Sequence, residues 1–258
     1  MAATGNRLPL CDAGHVAAGP PGRDLAGGQL RGRELRSGER RWAAVHGGLT
    51  PSAPVRLWLR GVQRLAAVGP IARIPPDLLS VAGVACAAAA LAAAAQGGRW
   101  ALLAAALVLL VGVLDGLDGA VAVHTGRARP LGAVVDAVAD RLGDLMLAAT
   151  LAALGAPLSW CAAAAGLALL HEYLRARAGA AGMTGPGAVT VAERPTRLAL
   201  VAVACLGAGL LPDGTPLTGW NWGAVSAVAW VAIGVLGFGH LTIGVVRATP
   251  RRFPPSCG

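Results

Sequence analysis

Five aspartates, Asp115, Asp118, Asp136, Asp140 and Asp144, stand in otherwise apolar sequence in this 258-residue chain. An ionisable group in a membrane-spanning helix costs about 2.5–3.5 kcal/mol on insertion scales, so a group of five implies a use. Asp115 and Asp118 are three residues apart, and Asp136, Asp140 and Asp144 follow at intervals of four. At about 100° per residue, each set occupies one face of a helix. Four carboxylates converging in a low-dielectric site, those of Asp115, Asp118, Asp136 and Asp140, cannot all stay ionised without cations. Hard oxygen donors in that number suit Mg2+ or Mn2+, with room for two ions. Zinc lacks ligands there, since His124 is a single loop residue without a partner. A two-metal carboxylate site suits chemistry on phosphates, where cations stabilise the attacking and leaving oxygens. Gly119 and Gly132 stand beside the acids. Without side chains, they let a phosphate or nucleotide approach the backbone closely.

These residues need helices to position them. Apolar segments run over approximately 78–96, 100–123, 131–154, 157–176, 197–211 and 222–246. Most approach the ~20 residues needed to cross a hydrocarbon core of about 30 Å. The connection at 124–130, HTGRARP, turns the chain back, and Pro130 suits a first helical position. The two aspartate faces then oppose each other on adjoining helices. Asp136 lies roughly 9 Å and Asp140 roughly 15 Å from the turn, at about 1.5 Å per residue. The predicted fold class is all-α, a polytopic membrane helical bundle of about six transmembrane helices with an N-terminal interfacial amphipathic helix. That helix is read from 54–68, where Arg56, Arg60 and Arg64 recur every four residues and Leu57, Trp58 and Leu65 lie off the stripe. The expected organisation is a disordered Arg-, Gly- and Pro-rich tail over 1–50, a juxtamembrane helix over 54–74, a transmembrane domain over 76–247 and a short cytoplasmic tail over 248–258.

Composition supports a membrane chain. It is 55% hydrophobic and 14% charged, against about 25% charged residues in soluble domains. The net charge of +9 comes from arginine alone, which raises the alternatives of nucleic-acid binding and membrane orientation. Position decides between them. Eleven arginines precede residue 77, and others fall at 127 and 129, at 175, 177, 194 and 197, and at 247, 251 and 252. The alternate connections hold only Arg99, none around Gly155-Ala156-Pro157 and none around Asp213. The positive-inside rule makes the arginine-rich side cytoplasmic, with both termini and the aspartates on it. Nucleic acid is thereby excluded as a partner, and the chain is placed in the cell membrane as a multi-pass protein. The five cysteines, Cys11, Cys86, Cys161, Cys205 and Cys257, have no paired spacing and read as small hydrophobes. The first forty residues hold no apolar signal-peptide core.

The segment LDGLDGAVAVHTGRARPLGAVVDAVADR resembles the signature of the CDP-alcohol phosphatidyltransferase family, Asp-x2-Asp-Gly-x2-Ala-Arg-x8-Gly-x3-Asp-x3-Asp. Asp115, Asp118, Gly119, Ala122, Gly132, Asp136 and Asp140 stand in register over 26 positions. PPDLLSVAG at 75–83 is similar to the start of the family's first helix, and EYLRARAGAAGM with AERPTRL is similar to a later cytoplasmic loop. The resemblance covers about 76–246, with six helices, and is nearest to actinobacterial members of the phosphatidylinositol-phosphate-synthase kind. It implies transfer of a phosphatidyl group from a CDP-lipid, CDP-diacylglycerol, to an alcohol with release of CMP. Asp115, Asp118, Asp136 and Asp140 would ligand the metals, with Asp140 also the general base. Asp118, Gly119, Ala122 and Gly132 would line the nucleotide site. Arg175, Arg177, Arg194 and Arg197 would hold the phosphate of an acceptor such as inositol phosphate or glycerol phosphate; as plain positive-inside charges they would need no such role. Asp144, one turn deeper, is either a supporting hydrogen-bonding group or a participant. The implied partners are CDP-diacylglycerol, the alcohol acceptor and membrane lipids, and a homodimer is admissible.

One position departs. Where the family has an arginine that holds the CDP end of the donor, this chain has Val123. The departure leaves three alternatives: Arg127 or Arg129 supplies the charge, the donor differs, or activity is weaker. Two rival functions are also weighed. An aspartate-rich membrane prenyltransferase needs a second acidic motif, but after position 144 only Glu172, Glu193 and Asp213 remain. An ion or proton transporter needs acids spread through membrane depth, often with an inverted repeat, and the sequence offers neither.

Overall fold

The computed structural model describes residues 53–249, apart from 184, 186 and 217. The predicted tail over 1–50 and nearly all of the tail over 248–258 lie outside the described residues. Among the described residues, eight helices form and no strand occurs. They are α1 (Ala53–Ala66), α2 (Gly69–Arg73), α3 (Pro76–Gln96), α4 (Trp100–His124), α5 (Pro130–Ala153), α6 (Leu158–Ala180), α7 (Arg194–Leu210) and α8 (Trp222–Ala248). The six long helices match the six apolar segments. Their starts are set by proline in the first turn of α3, α5 and α7, where a missing N–H costs nothing. Asn221 caps α8 by accepting from the Ala224 N–H at 3.0 Å. Gly126, at φ 68°, makes the left-handed turn that ends α4.

The chain is an all-α membrane helical bundle. Three helices, α3, α4 and α8, are long and apolar enough to cross a membrane. The other three long helices depart from that standard for visible reasons. Helix α5 carries Asp136, Asp140, Arg141 and Asp144, α6 carries Glu172, Arg175 and Arg177, and α7 has 17 residues. Small residues fill the interior. Ala87, Ala90, Ala94, Ala101, Ala104, Ala105, Ala164 and Ala204 are buried between helices, with Trp230 the largest buried side chain. Leu109, Val235, Leu236 and Val246 point outward. Small inside and large outside is the arrangement expected where lipid, not water, is the solvent and close backbone approach drives packing.

The amphipathic segment forms as two pieces instead of one helix over 54–74, because Gly69 and Pro70 start a separate short helix. The face of α1 that meets protein is Val62 and Ala66, packed with Leu79, Leu117 and Val121. Leu57, 73% exposed, and Trp58 and Leu65 are left outside. The helix thus braces α4 just where Asp115 and Asp118 lie.

A second difference concerns the aspartate helices. They are not adjoining in the sense of packing on each other. Helix α3 packs on both α4 and α5, and α7 also reaches both, while the backbones of α4 and α5 stay apart and meet through their carboxylate side chains. Opposed rows of carboxylates cannot interlock as apolar ridges do, because like charges repel in a low-dielectric gap. The pair is held apart by shared neighbours, and the gap is the site.

Candidate active site

The site lies at one end of the bundle, where α4 and α6 finish and α3, α5 and α7 begin. Helix α4 supplies Asp115 and Asp118, and α5 supplies Asp136, Asp140 and Asp144. One carboxylate oxygen from each of Asp115, Asp136 and Asp140 falls within 4.8 Å of the others. Asp118 is turned toward α3 and is 5% exposed. It accepts hydrogen bonds from the Ser80 hydroxyl at 2.6 Å and from the Gly119 N–H at 2.6 Å. Ser80 thereby fixes the rotamer of an acid whose other edge faces the gap.

Arginines enter the gap from α5 and α7. Arg194 Nη1 lies 2.7 Å from Asp140 and its Nε 3.2 Å from Asp115. Arg197 donates to Asp144 at 2.8 Å, both side chains being 1% exposed, and its Nη2 lies 3.5 Å from Glu172. Arg141 lies 3.4 Å from Asp140, 3.8 Å from Asp144 and 3.4 Å from Glu172. Asp144 is therefore a buried structural partner of Arg197. Neither Asp118 nor Asp136 has an arginine within ion-pair distance among the described residues. These unmatched negative charges are what a cation would neutralise.

The donor set fits a hard divalent cation. Three carboxylate oxygens already lie close enough to share one ion, with Asp118 adjacent, and all are oxygen ligands. A guanidinium already sits among them as a positive charge.

Next to the acids is a cavity of about 210 Å³. Asp118, Gly119, Ala122, Gly132 and Asp136 line it, as do Val123, Arg127, Arg129, Asp77 and Ser80. Open space lies where a Gly119 side chain would be. At Gly132, a Cβ would come within 3.3 Å of Arg129 and 3.5 Å of Asp77, which form an ion pair across the cavity. Glycine there lets that pair lie flat on α5. Arg127 donates to the Ala72 carbonyl and, at 2.8 Å, to the Thr125 hydroxyl. Both arginines of the 124–130 turn thus border the wall that includes Val123.

Of the four loop arginines singled out in the sequence, only Arg194 meets the carboxylate gap directly. Arg197 is enclosed, and Arg177 is exposed at the end of α6. Arg175 holds Glu193, donating to it at 2.8 Å, while the Thr190 N–H donates to the same carboxylate at 3.2 Å. Burial alone would push the Glu193 carboxyl up, but Arg175 and Thr190 outweigh it and hold it below the ordinary range. Behind them His171 and the Thr190 hydroxyl lie 3.0 Å apart.

Sequence reasoning passed over Ser80, Asp77 and Arg141, and found no catalytic pattern at Glu172. Arg141 carried a usable signal, three residues before Asp144 on the same helix face. The pairing of Asp77 with Arg129 spans 52 residues and has no local signal.

Residues 73–238 match the sequence profile of CDP-alcohol phosphatidyltransferases. A phosphatidylinositol phosphate synthase of Mycolicibacterium smegmatis is 37% identical over 148 residues, covering 54% of this chain and 63% of that relative, a little under two thirds of its length. Two solved structures of the Mycobacterium tuberculosis phosphatidylinositol phosphate synthase share the fold at 23% identity. The one with CDP-DAG bound has a TM-score of 0.58 over 76% of this chain and 100% of that chain. The one in complex with manganese and citrate has a TM-score of 0.57 over 76% of this chain and 96% of that chain.

Proposed function

This chain belongs to the CDP-alcohol phosphatidyltransferase family, and on that premise we propose that it transfers a phosphatidyl group from CDP-diacylglycerol to a phosphorylated polyol. The observation that carries the reading is the trio of carboxylate oxygens within 4.8 Å beside a cavity floored by glycine. Asp115, Asp118, Asp136 and Asp140 would hold two Mg2+ or Mn2+ ions, which when bound neutralise the diphosphate and the charge that builds on the leaving CMP.

The chain's own residues do the rest. The cytidine diphosphate end of the donor lies in the cavity against Gly119, Ala122 and Gly132, where absent or small side chains leave it room. Asp140 faces the gap and accepts the proton of the acceptor hydroxyl as its oxygen attacks the phosphorus bearing diacylglycerol. The bond from that phosphorus to the CMP oxygen breaks, and CMP leaves. Ser80 keeps Asp118 turned into place. In place of the absent arginine at 123, Arg129 turns from Asp77 to the diphosphate, an exchange of one anionic partner for another.

For the acceptor, the name of the mycobacterial relative favours inositol phosphate. Arg194 is the arginine suited to its phosphate, being the one beside Asp140. Arg175 and Arg197 shape that wall through Glu193 and Asp144, and Arg177 stands outside it. All six long helices, as the domain 76–247, cross the cell membrane with the site on the cytoplasmic side, the side where arginine concentrates.

The test is CMP release by detergent-purified protein given Mn2+ or Mg2+, CDP-diacylglycerol and, in separate reactions, inositol phosphate or glycerol phosphate. Asp140→Asn should lower kcat by about 10²–10⁴-fold, the span of general-base catalysis. No CMP with any acceptor, or full turnover in Asp140→Asn, refutes the reading.

A further inference from the structure

Arg194 is the first residue of α7, and its guanidinium reaches back across the gap between α4 and α5. It lies 2.7 Å from Asp140, 3.2 Å from Asp115 and 4.0 Å from Asp144, with 11% of its side chain exposed. Asp115 and Asp140 are two of the three residues whose oxygens converge. Space for this reach comes from Gly143, where a Cβ would sit 3.1 Å from Arg194 Nη2. The contacts are close in charge but poorly aligned: Nε and Nη1 are buried without a hydrogen-bond partner. Arg197 also has Nε and Nη2 unpartnered but differs in donating a directed 2.8 Å bond to Asp144 from a site that is 1% exposed.

A guanidinium and a divalent cation compete for the same carboxylate lone pairs. A cation held by charge without aligned hydrogen bonds yields more easily than one locked by them. We propose that Arg194 is a tethered counter-ion that a divalent metal displaces from Asp115 and Asp140, so that this arginine sets how tightly the site takes metal. It is a positioning residue in this role. Before loading it relieves repulsion between carboxylates of facing helices, and on loading it must leave. The inference rests on the metal-site reading above, and the measurement separates the two.

The measurement is Mn2+ titration of the purified full chain without substrates, following the EPR signal of free Mn2+, paired with thermal unfolding in EDTA and in saturating Mn2+. Arg194→Gln should bind Mn2+ roughly tenfold tighter, the scale of one partly buried ion pair. It should also unfold at a lower temperature than the native chain in EDTA, with the gap narrowing once Mn2+ is saturating. Gly143→Ala, which presses on Nη2, should tighten Mn2+ binding several-fold and add nothing in an Arg194→Gln background. If Arg194→Gln does not fold, Gly143→Ala carries the same test. Unchanged or weaker Mn2+ binding in these variants, beside saturable binding by the native chain that Asp136→Asn abolishes, overturns the counter-ion and leaves the metal site standing. No saturable Mn2+ binding by the native chain overturns both.

Discussion

Val123 raises a question about charge at a single position. The cavity wall it belongs to also includes Arg127 and Arg129, and Arg129 is paired with Asp77. A charged hydrogen bond is worth about 1.5–3 kcal/mol. Arg129→Gln should therefore raise the KM for CDP-diacylglycerol about ten- to hundredfold with a smaller change in kcat, and Val123→Arg in that background should recover most of it; steady-state kinetics with the donor varied decides. Deeper in the bundle, Asp144 and Arg197 neutralise each other in full burial. Arg197→Met removes the one hydrogen-bonded partner of the Asp144 carboxylate, leaving Arg141 at 3.8 Å and Arg194 at 4.0 Å, and should cost about 1.5–3 kcal/mol of stability in detergent unfolding. Replacing both, with Asp144→Leu added, should recover much of that loss, because the penalty is a buried carboxylate left without its hydrogen bond.

The helices themselves were legible in the sequence. Apolar run length, proline at the first turn and glycine at the end of α4 are local signals, and the six segments agree with α3 to α8 to within a few residues. The convergence of Asp115, Asp136 and Asp140 was also legible, since two periodic faces and a short turn leave few ways to arrange them. What the sequence hid is non-local. Nothing near Asp118 announces Ser80, 38 positions away, and nothing near Asp144 announces Arg197, 53 positions away. The separation of α4 from α5 was hidden too, because it depends on α3 lying beside both. The segment before α7 offers a pH test at this scale. Glu193 has a folded value below its ordinary one. Such a carboxyl lends stability that is complete above its unfolded value, near about 4.3, and is lost as pH falls through the folded value. Amide exchange at residues 187–193, corrected for intrinsic rate, should stay flat from about pH 7 to 5 and rise only below about 4. Glu193→Gln should exchange fast throughout.

For the whole molecule, a membrane bundle must keep a charged, carboxylate-lined gap open at one end while the rest closes by small-residue contact. The division of labour is visible in the alanine interior and in the polar network that links Arg141, Glu172, Arg175 and Arg197 around the gap. The acids gather at one end of the bundle, as a fixed reaction site requires and a conduction path does not. The distance between the acid rows is set by neither row. Helix α3 lies against both, so it acts as the pivot of a pair of calipers whose jaws are α4 and α5. Gly83 sits on that pivot, where a Cβ would be 4.0 Å from that of Leu114. Gly83→Leu, on a position that also lines the carboxylate gap, should crowd or spread the jaws and weaken Mn2+ binding about tenfold or more, although no ligand is altered, while Gly166→Leu on α6, where a side chain meets open space, should leave it unchanged. Reach between jaws, more than the chemistry of any one acid, would then fix which ion the bundle accepts.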